Sequence, residues 1–151
     1  MMASGRAYPV QILLVEDNPG DIRLIREAML EGRFYNPPLV AKTGEEALAI
    51  LRNRDSVSGN QQVDLILLDL NLPGLNGIEV LREIKTDPET SRIPVVILTS
   101  SQAEEDVVQA YDQYANCYIT KPVDMDGFLE IVQSIEQFWI SVVKLPGKDG
   151  E

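Results

Sequence analysis

Acidic residues close several apolar runs of this 151-residue chain, and a lysine and two hydroxyls close others. The stretch LILLDLNLPGLNG (65–77) is apolar up to Asp69, then breaks into a loop at Pro73, Gly74 and Gly77. An isolated buried carboxylate is costly, so Asp69 is expected to be paired, solvated at a strand tip, or holding a metal. Glu16 and Asp17 follow the run VQILLV (10–15), Thr99 and Ser100 end IPVVILTS (93–100), and CYIT (117–120) runs into Lys121. Taken singly, each has a plainer role: a turn or helix cap for the acids, a loop hydrogen bond for Thr99, a solvated charge for Lys121. Their joint placement is what points to chemistry.

Three acids at one edge repel one another unless a cation intervenes. Oxygen-only ligands suit a hard cation, Mg²⁺ in preference to Ca²⁺, with water completing an octahedron. With Mg²⁺ and a lysine at hand, a carboxylate can attack phosphorus and carry an acyl phosphate. No Walker A sequence or glycine-rich dinucleotide fingerprint is present, so the phosphoryl group is expected from outside.

Composition narrows the field further. The chain has no histidine, which excludes Ser-His-Asp and Cys-His catalysis and the usual zinc sites. The single cysteine, Cys117, cannot form a disulfide within the chain and reads as a packed thiol. A net charge of −11 argues against a nucleic-acid surface. No run reaches the roughly 20 apolar residues of a membrane span, and the first residues lack the apolar core of a signal peptide. A cytoplasmic protein is expected.

The elements that must position these residues alternate regularly. Apolar runs at 10–15, 38–41, 64–70, 93–100 and 117–120 read as strands. Amphipathic stretches to about Glu31, from Gly44 to Arg54, from Ile78 to Lys85, over 103–114 and from Asp124 onward read as helices. Five such alternations, with strands apolar on both faces, predict an α/β doubly wound parallel sheet. Its ligand site lies outside the carboxyl ends of the strands. The expected domain spans 10–143, with an N-terminal extension at 1–9 and a flexible tail at 144–151.

The motifs VEDN (15–18), LLDLNLPGLNG (67–77), ILTSS (97–101) and CYITKPV (117–123) together resemble a response-regulator receiver domain of two-component signalling, over about residues 10 to 140. The resemblance implies a flavodoxin-like (βα)5 fold with strand order 2-1-3-4-5. It makes Asp69 the phosphoacceptor, with Mg²⁺ held by Glu16, Asp17, Asp69 and the backbone carbonyl of Asn71. Lys121 then pairs with the phosphoryl group, Pro122 follows a cis bond that aims that lysine, and Thr99 and Tyr118 switch on phosphorylation. Asn71 and Ser101 take positions that tune phosphoryl lifetime. Tyr114 stands where most receivers have glycine, so the fourth helix should end differently. VEDNPGDIRLIREAM, the polar insert at 53–62 and YANCYITKPVDMDGF are similar to the stand-alone regulators of cyanobacterial phytochrome-type histidine kinases. The implied protein is therefore a stand-alone phosphoacceptor that catalyses its own Mg²⁺-dependent phosphorylation and dephosphorylation. It releases no metabolic product, takes its phosphoryl group from a histidine kinase and signals by protein contact.

Three rivals are weaker on residues. A haloacid-dehalogenase-type phosphatase needs a second acid two residues after its nucleophile, and Asn71 cannot serve. A degenerate, phosphorylation-independent receiver usually lacks an acid or the lysine, all of which are present. A flavodoxin needs a Ser/Thr-rich phosphate loop where Glu16 and Asp17 stand.

The last helix loses its one-sided pattern after residue 137. Phe138 and Trp139 either plug the bottom of the domain's own core or form an exposed aromatic patch for a homodimer through the fourth helix, fifth strand and fifth helix; the second reading is preferred. Trp139→Ala is accordingly expected to weaken self-association in concentration-dependent sedimentation. A monomer in both parent and variant would end the dimer reading.

Overall fold

Every strand is short; those at 12–15, 65–69 and 95–99 are buried throughout, and those at 39–41 and 117–120 only in part. The computed structural model describes residues 10–32, 37–52, 63–111 and 117–143, the side chains of 107–111 and 138–143 excepted. The extension 1–9, the insert 53–62, Tyr114, the tail 144–151 and the side chains of Phe138 and Trp139 therefore lie outside the described residues.

The elements follow in strict alternation: β1 (Ile12–Val15), α1 (Pro19–Glu31), β2 (Leu39–Ala41), α2 (Gly44–Arg52), β3 (Leu65–Asp69), α3 (Gly77–Thr86), β4 (Val95–Thr99), α4 (Gln102–Tyr111), β5 (Cys117–Thr120) and α5 (Met125–Val143). The strands form one parallel sheet in the order β2-β1-β3-β4-β5, the doubly wound topology expected. Parallel strands cannot be joined by tight hairpins, which is why a helix separates each pair.

Side-chain alternation divides the apolar residues into two cores. Leu13, Val15, Ile66, Leu68 and Ile97 face α2 and α3, where Ala47, Leu48, Val80 and Ile84 meet them. Ile12, Leu14, Leu65, Leu67, Val96 and Leu98 face α1 and α5, against Ile22, Ile25, Phe128, Val132 and Ile135. Both helical sets recur at the three- and four-residue spacing of one helix face.

Two helix starts are sealed by asparagine. Asn18 caps α1 by accepting from the Asp21 N–H at 3.0 Å, ahead of Pro19 in the first turn. Asn76 and Glu79 form a reciprocal capping box at α3. Between β3 and α3 the chain turns through Gly74 at φ +72°, a conformation that side-chain-bearing residues rarely adopt.

Gly77 opens α3 against the end of the strand that carries Asp69. A Cβ there would lie 2.7 Å from Leu70 Cα and 2.8 Å from the Asp69 carbonyl oxygen, both backbone atoms that cannot swing aside. Gly77→Ala should therefore lower the urea midpoint by the equivalent of about 2 kcal/mol, with an unchanged m-value. An unchanged midpoint would show that α3 can slide off the strand end without cost.

Candidate functional site

Strand register brings the acids together. Val15 pairs with Leu68, so the next residues, Glu16 and Asp69, stand side by side where β1 and β3 end. Thr99 pairs with Thr120, which sets Lys121 one step beyond β5. By alternation Glu16, Asp69 and Lys121 share the face of Leu14, Leu67 and Ile119, the side covered by α1 and α5. Thr99 and Tyr118 fall on the opposite face with Ile97.

The Lys121 ammonium is the hub. It lies 2.9 Å from Glu16 Oε1, 3.0 Å from Asp21 Oδ2 and 3.4 Å from Asp69 Oδ2. Asp21 comes from the first turn of α1, where the cap by Asn18 orients the helix. The Asn18 N–H also donates to Glu16 Oε2 at 3.1 Å, so one residue holds both the acid and the helix. Asp69 Oδ1 accepts from the Asn71 N–H at 3.2 Å. Glu16 is fully buried and Asp69 nearly so, at 0% and 3% exposure, whereas Asp17 is exposed.

Burial dominates the protonation of the acids. It pushes the Glu16 carboxyl up to about 7, against the opposing pull of Lys121, with the Asp69 charge adding to the rise. Asp69 is raised by burial too, although Lys121 and the Asn71 N–H oppose it. For Lys121, burial favours the neutral amine, but contact with Glu16 and Asp21 and the charge of Asp69 outweigh it and raise its pKa. One ammonium among Glu16, Asp21 and Asp69 leaves an excess of negative charge once all three ionise.

Glu16, Asp17 and Asp69 each place an oxygen within 4.8 Å of the others, a set able to hold a metal ion. Two features fit a hard divalent cation. The donors are all carboxylate oxygens, and Glu16 Oε1 is a buried acceptor that meets the Lys121 ammonium as an ion pair at 2.9 Å while two further acids stand beside it.

The other expected residues are arranged differently. The Thr99 hydroxyl, fully buried, faces the backbone carbonyls of Ser101 (3.3 Å) and Ile119 (3.5 Å), in line with its position on the other side of the sheet. Ser101 caps α4, its hydroxyl accepting from the Glu104 N–H at 3.1 Å. Tyr118 is half-buried against the α2–α3 core. Cys117 is half-buried on the opposite face, and burial, with Glu105 nearby, pushes its thiol pKa up, as suits a packed and unreactive group.

The Lys121–Pro122 bond is trans, as is every peptide bond among the described residues, which corrects the cis bond expected before Pro122. Trans is the ordinary form, favoured by about 0.5–1 kcal/mol before proline. From it the Lys121 N–H donates to the Thr99 carbonyl at 2.7 Å while the side chain reaches all three acids. Sequence reading also missed Asp21 and Glu104. Asp21 sits three residues after the Asn18 cap, where acids are common for helix stability alone, so nothing marked it as a partner of Lys121.

The response regulator receiver domain family matches residues 12–133. The response regulator Rcp1 of Synechocystis sp. is 42% identical over 138 residues, 91% of this chain and 94% of that protein. The crystal structure of the phosphorylated cyanobacterial phytochrome response regulator RcpA superposes with a TM-score of 0.77 at 46% identity, over 89% of this chain and 96% of its own. The Mn²⁺-bound form of Rcp1 superposes at 0.73 with 42% identity, over 87% of this chain and 94% of its own.

The raised acids set a pH dependence of stability. Glu16 binds its proton more tightly folded than unfolded, so its stabilising effect is complete below about 4.5 and lost as pH rises through about 7. The metal-free protein should therefore melt higher at pH 5.5 than at pH 8. Glu16→Gln should raise the pH 8 melting temperature, flatten this slope and weaken Mg²⁺ binding. Parallel slopes in parent and variant would assign the effect to other groups.

Proposed function

Since the chain belongs to the response regulator receiver domain family, we propose that Asp69 accepts a phosphoryl group from a partner histidine kinase in a Mg²⁺-dependent reaction. The observation that carries this is Asp69 itself: a nearly buried carboxylate beside the Lys121 ammonium, with Glu16 and Asp17 completing an acidic set.

In the forward step a carboxylate oxygen of Asp69 bonds to phosphorus. The bond from phosphorus to the kinase imidazole breaks, and its electron pair stays on the imidazole. Lys121 offsets charge on the transferring oxygens, and its contacts with Glu16 and Asp21 hold the ammonium in place. Glu16, Asp17, Asp69 and the Asn71 carbonyl would hold Mg²⁺, which supplies neutralising charge at the phosphoryl oxygens. Burial without full compensation keeps Asp69 high in energy as an anion, and phosphorylation turns it into an acyl phosphate whose added negative charge Lys121 and Mg²⁺ would offset.

Thr99 and Tyr118, on the α2–α3 side of the sheet, carry the change from Asp69 to the face made by α4, β5 and α5. The transition is a shift between two packings biased by phosphoryl contacts. That face is where protein partners, including a second copy of the chain, are assigned; the apolar sequence from Phe138 onward supports self-association. Likeness to RcpA, a cyanobacterial phytochrome response regulator, supports a kinase of the phytochrome type, and a cytoplasmic setting is part of the same proposal. Among the described residues no helix is long and apolar enough to cross a membrane.

Incubation with acetyl phosphate and Mg²⁺, read by intact mass, should give a single phosphoryl adduct. Asp69→Asn or removal of Mg²⁺ should bring it below detection. No adduct in the parent after fast quenching would favour a phosphorylation-independent binding module.

A further inference from the structure

Glu104, in the first turn of α4, lies at a junction outside the chemistry described above. Its Oε1 alone meets three donors: the Ser100 N–H at 2.6 Å, the Ser100 hydroxyl at 2.9 Å and the Asn71 side-chain amide at 3.2 Å. The Ser100 contacts span four residues and belong to the start of the helix. The Asn71 contact spans 33 residues and joins the loop after β3 to the first turn of α4. Asn71 in turn donates its backbone N–H to Asp69 Oδ1 at 3.2 Å. A continuous path of hydrogen bonds thus runs from Asp69 through Asn71 to the N-terminal turn of α4.

Glu104 is itself firmly placed. It is half-buried, and its own N–H is capped by the Ser101 hydroxyl at 3.1 Å. The neighbouring Glu105 accepts from the Thr120 hydroxyl at 3.0 Å, which ties the same turn to the end of β5. A charged acceptor so oriented makes the Asn71 hydrogen bond stronger than one between neutral groups.

We propose that Glu104 is a positioning residue for Asn71, holding its carboxamide toward α4 and off the phosphoacceptor so that the acyl phosphate on Asp69 is slow to hydrolyse. The inference rests on Asp69 being the acceptor. While Nδ2 is committed to Glu104, it cannot turn to a phosphoryl oxygen or guide an incoming water. Hydrolysis forms a bond from the water oxygen to phosphorus and breaks the bond from phosphorus to Asp69. The electron pair returns to the carboxylate, and the water's proton leaves with inorganic phosphate or to solvent. Without the clasp the carboxamide swings free and the approach of water is less restricted.

The test follows decay of the acetyl-phosphate-loaded protein in Mg²⁺ by intact mass, in the parent, Glu104→Ala, Glu104→Gln, Asn71→Ala and the double variant Asn71→Ala/Glu104→Ala. Glu104→Ala should decay about fivefold faster, the scale of one ordinary hydrogen bond lost at a solvent-exposed contact. Glu104→Gln keeps an acceptor oxygen and should stay within about twofold of the parent. In the Asn71→Ala background the Glu104→Ala effect should vanish, since the two changes break the same contact. Unchanged decay in Glu104→Ala overturns the proposal, as does an equal acceleration with or without Asn71. Acceleration by Glu104→Gln as large as by Glu104→Ala would assign the effect to charge and overturn it too. Failure of the parent to form an adduct would instead remove the premise about Asp69.

Discussion

One ammonium among three carboxylates constrains this molecule more than any other contact. Lys121 reaches Glu16, Asp21 and Asp69 from the end of β5, and so ties β1, α1 and β3 to one point. Each of these elements delivers its acid by a separate device: strand register for Glu16 and Asp69, and an asparagine cap for Asp21. The cluster is not an economical way to stabilise a fold, because burial raises the proton affinity of Glu16 and Asp69 despite the nearby ammonium. A stored excess of negative charge is what a cation-dependent phosphoacceptor requires. Under the proposed function, stability is given up at the place where the chemistry would occur.

Under the proposed function, the sheet separates acceptance of the phosphoryl group from transmission of its effect. Glu16, Asp69 and Lys121 face α1 and α5, whereas Thr99 and Tyr118 follow Ile97 to the opposite side. Any signal from Asp69 must therefore pass around the strand ends, where the loops after β3 and β4 meet. The loop after β3 is already joined to the first turn of α4 by the contact of Asn71 with Glu104, and α4 is bound to β5 through Thr120 and Glu105. The first turn of α4 is consequently held to neighbours on two sides.

Asp69 was legible because a carboxylate ending an aliphatic strand breaks the pattern around it, and Glu16, Asp17 and Lys121 were legible by the same contrast. Receiver membership followed from the order of these motifs, and the family match over residues 12–133 bears it out. Asp21 and Glu104 stand in the first turns of helices, where acids are ordinary, so no local contrast distinguished them. The trans bond before Pro122 shows the limit of an expectation carried over from likeness alone.

By itself the sequence determined the alternation of strands and helices, the burial of both sheet faces and the residue types at the strand ends. These are local properties, set by periodicity and by the few residues on either side. Tertiary structure alone decided which acids share Lys121, which residues lie across the sheet from it, and which helix turn reaches Asn71. Such contacts join residues 33, 52 or 100 positions apart. They are created by strand register and helix packing, and neither is encoded in the spacing of any single segment.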